Sequence, residues 1–80
     1  MQARVLVTLK GGVLDPQGRA VARALMQDGF GEVREARVGK LIELELDETS
    51  PERGRERLKA MCDTLLANTV IERYEIELLG

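Results

Sequence analysis

The sequence predicts an α+β domain with the element order β-α-β-β-α-β, and three observations carry that reading. Residues 3–9 and 70–79 alternate apolar and polar side chains with a period of two, the mark of half-buried strands. Asp15-Pro16 and Ser50-Pro51 each set a capping side chain before a proline at the first helical position, and apolar residues at helical spacing follow. Between the two helices, Gly29, Gly31 and Gly39 punctuate two further apolar-polar runs. The order is the split β-α-β pattern of ferredoxin-like folds, a four-stranded antiparallel sheet with two helices on one face.

In the first strand Ala3, Val5, Val7 and Leu9 share one face, while Arg4, Leu6, Thr8 and Lys10 share the other. Gly11-Gly12 loosens the chain, and Val13-Leu14 lead into the helix capped by Asp15. That helix carries an apolar stripe of Val21, Ala24 and Leu25 opposite Arg19, Arg23 and Gln27, and Gly29 ends it. Gly18 is out of place in the first helical turn. Glycine there costs roughly 1 kcal/mol against alanine, so something beyond helix formation favours it.

Residues 33–38 read as the second strand, with Arg34, Glu35 and Arg37 outward. After a turn at Gly39-Lys40, a third strand turns Ile42, Leu44 and Leu46 inward and Glu43, Glu45 and Asp47 to solvent. The second helix presents Leu58, Met61, Cys62, Leu65 and Leu66 to the core and ends at Asn68-Thr69. The closing strand has Tyr74, Ile76 and Leu78 on one side and Arg73, Glu75 and Glu77 on the other. Leu6, Leu41 and Leu79 fall on the uncovered face of the sheet, as scattered exposed leucines or as a self-association face.

The 80 residues make one domain, 1–80, near the lower size limit for a self-sufficient core. Phe30 and Tyr74 are the only aromatics, so the interior is aliphatic and too small to add a deep private pocket. Oligomerisation relieves that shortage. Twelve basic against 14 acidic residues, net −2, give no field to gather nucleic acid or an anionic membrane. The single Cys62 excludes an internal disulfide and fits a reducing compartment. No apolar run approaches the ~20 residues of a membrane span and no signal-peptide pattern opens the chain, so a cytoplasmic location is expected.

Catalytic chemistry has little to work with. Without histidine the commonest general base, its Ser or Cys dyads and imidazole metal sites are absent. Cys62 lies on an apolar helical stripe and reads as a core thiol rather than a nucleophile. The ladder Glu43, Glu45, Asp47 reads as a solvated strand face rather than a metal site. Gly39-Lys40 fails as a phosphate loop, because Arg34 and Leu41 stand where a glycine and a Ser or Thr are needed. Neither inner strand offers aromatics for base stacking, which excludes RNA recognition of the sheet type. No catalytic residue, metal or cofactor is expected. Lys10, Arg37 and Lys40 remain, each near a glycine at a strand end; solvated cations are the default, and a phosphate or an acidic partner is the alternative.

Taken together, Val5-Leu6-Val7, Leu9-Lys10, Val13-Leu14-Asp15-Pro16-Gln17-Gly18 and Val38-Gly39-Lys40 resemble the PurS family. So does the ending, Leu65-Leu66-Ala67-Asn68, Val70-Ile71-Glu72 and Tyr74-Glu75-Ile76-Glu77. The similarity runs almost end to end. Thr69 departs from it, where a proline is expected, and Gly11-Gly12 varies a loop. The resemblance implies the small, non-catalytic subunit of phosphoribosylformylglycinamidine synthase. In that complex a glutaminase subunit releases ammonia, and an ATP-dependent synthetase subunit activates an amide oxygen that the ammonia then displaces. The small subunit, a homodimer or homotetramer, brings the two together so that ammonia passes without escaping. On that reading a close partner favours Gln17 and Gly18 at the helix start, and the contact candidates are Lys10, Asp15, Gln17, Gly18, Arg37 and Lys40.

Two other classes share the β-α-β-β-α-β plan. A small-molecule regulatory module, of the kind that binds amino acids, would use the loop at Gly11-Gly12 and a dimer interface. An acylphosphatase-type enzyme would need an arginine-rich phosphate loop and a water-positioning asparagine, which Lys10-Gly11-Gly12 and Asn68 do not provide.

Overall fold

A computed structural model describes residues 1–80. Strand β1 spans Gln2–Leu9, helix α1 Pro16–Gln27, strand β2 Lys40–Glu45, helix α2 Pro51–Met61 and strand β3 Glu72–Leu78. The sheet has three strands in the order β2-β1-β3, both pairs antiparallel. In register, Val5 faces Ile42 on one side and Ile76 on the other, so one face of the sheet collects the aliphatic residues. Ala3, Val5 and Val7 from that face close on Leu58, Cys62 and Ala67 to form the buried core. Ile42, Leu44, Leu46, Tyr74, Ile76 and Leu78 pack around it, half-buried.

The four-stranded sheet expected from the pattern does not form. Residues 33–38 make no strand, although their alternation suits one. Their backbone is engaged elsewhere. The Val38 N–H donates to Asp15 Oδ2 at 2.8 Å, and the Ala36 carbonyl lies against Gly18 at the start of α1. A strand at the sheet edge would need those same groups for its ladder. The α+β class stands, but the edge beyond β2 is open.

Nor do both helices cover the sheet. α2 packs on β3, whereas α1 contributes no residue to the core and buries only Gly18. The residues from 10 to 39 therefore form an arm that projects from the sheet domain. The molecule measures 48 × 25 × 14 Å with a radius of gyration of 16.0 Å. A compact chain of this length has about 12 Å.

The ends of α1 follow the sequence closely. Asp15 caps its start with Pro16 in the first turn, and Gly29 follows its last residues at φ +96°. α2 begins as expected too, with the Ser50 hydroxyl accepting from the Arg53 N–H. Its end does not. A π-helical turn, Cys62–Leu66, continues it, closed by the Ala67 N–H donating to the Cys62 carbonyl at 3.0 Å. The wider turn rotates the last part of the expected stripe. Leu65 is thrown out to 82% exposure, and Ala67 takes a core position instead.

Candidate functional site

Two chain segments cross between sheet and arm, residues 10–15 outward and 36–39 returning. They are tied to each other in both directions. Asp15, on the outgoing segment, accepts from the Gly18 N–H with Oδ1 and from the Val38 N–H with Oδ2, each at 2.8 Å. Arg37, on the returning segment, donates back to the carbonyls of Val13 and Lys10, both at 3.2 Å, and more weakly to Leu9 at 3.5 Å. A carboxylate that caps a helix with one oxygen and grips a distant stretch of chain with the other is a clamp.

The electrostatics agree with the geometry. The Val38 N–H, then the Gly18 N–H and the nearby Arg37 guanidinium, hold the Asp15 carboxyl below its usual pKa. Asp15 is only 5% exposed, and both its oxygens are partnered. Two glycines make the approach possible. A Cβ on Gly18 would run into the Ala36 carbonyl and stand 2.7 Å from Asp15 Oδ2; one on Gly39 would stand 2.6 Å from the Val7 carbonyl. Gly18 is thus explained by its own chain, where the sequence pointed to a partner.

Of the six contact candidates, Asp15, Gly18 and Arg37 form this clamp. Gln17 and Lys40 are exposed, and they come together on the walls of a cleft of about 520 Å³ with Leu9, Leu14, Val38 and Glu72. Lys10 is exposed where the arm leaves β1, its carbonyl held by Arg37, and its side chain does not line that cleft. Arg19, Arg23 and Arg34 line a second cleft of about 660 Å³, which adjoins the first at Leu14 and Asp15. In the sequence these three stand on ordinary polar faces. Only the i, i+4 spacing of Arg19 and Arg23 signalled a pair; Arg34 joins them through the fold.

No group of three or more carboxylate or thiol side chains is placed to hold a metal. Cys62 is fully buried, and burial pushes its thiol pKa up, away from the reactive thiolate. At the other end of the domain, Tyr74 donates to Asp63 at 2.9 Å and Lys59 donates to the same carboxylate at 3.2 Å. This trio ties the π-helical turn to β3. No helix is long and apolar enough to cross a membrane.

A small sheet domain that holds a buttressed arm clear of its own core is a subunit, shaped for contact with other chains. Comparison with known proteins says which. Residues 2–80 match the PurS family, Phosphoribosylformylglycinamidine (FGAM) synthase. The PurS subunit of that synthase from Bacillus subtilis is 48% identical over 79 residues, covering 95% of this chain and 92% of the relative. Crystalline PurS from Methanocaldococcus jannaschii, one of the subunits of formylglycinamide ribonucleotide amidotransferase, superposes with a TM-score of 0.87 at 43% identity, covering 95% of this chain and 92% of its own. A chain of PurLQS from Thermotoga maritima gives 0.88 at 33% identity, covering 98% and 95%. The chain belongs to the PurS family of FGAM synthase subunits, which serve purine biosynthesis.

Proposed function

We propose that this chain, acting as one unit over residues 1–80 in the cytoplasm, is the bridge of its synthase. It pairs with a second copy and joins the glutaminase to the ATP-dependent synthetase, so that ammonia released by one reaches the other. The Thermotoga maritima relative is found in PurLQS, and this chain takes the corresponding place. The arm is the observation that carries the reading. Val21 and Phe30 on it are exposed, and only nine of the 80 residues are buried. The accessible surface is 6070 Å², whereas a compact monomer of 8.9 kDa exposes about 4,800 Å², an excess of roughly 1,250 Å². A stable interface covers about 800 Å² on each partner. A second copy laid along the apolar stripe of α1 would account for the excess.

Lys10, Gln17 and Lys40 keep side chains free to meet a partner subunit, since Asp15, Gly18 and Arg37 are engaged within the chain, and of the three Gln17 and Lys40 share a cleft. Replacing both Gln17 and Lys40 by alanine should weaken assembly with the synthetase and glutaminase subunits, measured by sedimentation velocity, while the isolated chain keeps its circular dichroism and thermal midpoint. Undiminished assembly of the double variant would remove these residues from the interface.

A further inference from the structure

The arm has two faces of different chemistry. On a 3.6-residue helix, Arg19 and Arg23 lie roughly half a turn around from Val21, so they point away from the stripe that suits a second copy. With Arg34, which follows α1 in the chain, they line the cleft of about 660 Å³ together with Val13, Ala22 and Met26. All three arginines are exposed, and none is in an ion pair or a hydrogen bond to another side chain. The two acidic residues on the same cleft do not neutralise them. Asp15 has both oxygens engaged by backbone N–H groups, and Glu35 makes no ion pair.

The placement runs against the composition. Residues 10–39, the arm, carry five basic against four acidic side chains, while the rest of the chain carries seven against ten. An acidic object approaching this molecule is repelled by the sheet domain and attracted to the arm. Guanidinium groups, planar and weakly hydrated, pair with carboxylates two bonds at a time.

We propose that the arginine cleft docks an acidic segment of a partner subunit in the assembled synthase. The proposal rests on the bridging reading above and assigns it a second contact, distinct from Gln17 and Lys40. Carboxylates of the partner enter between Arg19 and Arg23 on one wall and Arg34 on the other. The field of the arm steers the encounter, so the contact governs the rate of assembly and its sensitivity to salt.

The test compares the full chain with the R19A/R23A/R34A variant in stopped-flow assembly with the synthetase and glutaminase subunits, over a range of NaCl concentrations. The wild-type association rate should fall steeply with salt. The variant should associate about tenfold more slowly at low salt, with a flattened salt dependence. Its thermal midpoint should not change, because the three side chains make no bond that the fold needs. Equal rates and equal salt slopes would overturn the proposal while leaving bridging intact. Failure of the wild-type chain to assemble at all would overturn bridging itself. If the variant changes the oligomeric state of the chain alone, the cleft belongs to a second copy. If ATP or inorganic phosphate raises the wild-type midpoint and not the variant's, it is a phosphate site. Either result would refute docking of an acidic protein segment.

Discussion

Replacing Gly18 by alanine probes the clamp where sequence and structure pull in opposite directions. By helix propensity alone the change gains about 1 kcal/mol. In the fold the new Cβ meets the Ala36 carbonyl and stands 2.7 Å from Asp15 Oδ2 and 2.9 Å from Asp15 Cγ. Overpacking of this kind costs about 1–3 kcal/mol. The obstacle is a backbone oxygen and a capping carboxylate, neither of which can swing aside, so the upper part of that range applies. The net loss is about 1–2 kcal/mol, felt locally where the returning segment lies on α1. The reporter is the Val38 amide, whose hydrogen bond to Asp15 must lengthen if the segments part. Hydrogen exchange there should quicken about 5–30-fold, the factor that such an energy corresponds to. Gly31→Ala is the control: nothing lies within 4 Å of its Cβ, and its exchange profile should match the parent or improve slightly. Unchanged or slower exchange at Val38 in Gly18→Ala would refute the close-approach argument.

Two further outcomes follow from the same geometry. Because its hydrogen bonds lower the Asp15 pKa in the folded chain, the clamp is fully present above the unfolded carboxyl value near 3.9 and is lost as pH falls through the lower folded value. The Val38 and Gly18 amide resonances should therefore titrate together with a midpoint below 3.8; a midpoint at or above it contradicts the clamp. Cys62 should resist a thiol reagent at mildly alkaline pH in the native chain and react once denaturant is added, since it is buried and its pKa is raised; rapid native labelling would place it outside the core.

What the sequence made legible is whatever depends on local pattern. The alternation in β1 and β3, the caps at Asp15 and Ser50, and the inward set Ile42, Leu44 and Leu46 all reappear in the fold. What it hid depends on distant partners. Asp15 reads as a cap, and it is one, but its second oxygen binds an amide 23 residues away. That bond draws residues 33–38 off the sheet, so a segment with the alternation of a strand has no ladder to join. Arg37 reads as a free cation, and nothing in its neighbourhood announces that it gathers carbonyls. The π-helical turn at Cys62 shifts the stripe by one residue, which no period of 3.6 foresees. Gly18 was legible as an anomaly, though its cause was not.

The bridging role itself is tested most directly by synthase activity. The synthetase and glutaminase subunits would be assayed with and without this chain, once with glutamine and once with ammonium chloride as the nitrogen source. The account predicts that glutamine-dependent turnover needs the chain, while ammonia-dependent turnover needs it much less. If activity on both nitrogen sources is indifferent to the chain, it does not couple the two enzymes, and the bridging account is wrong.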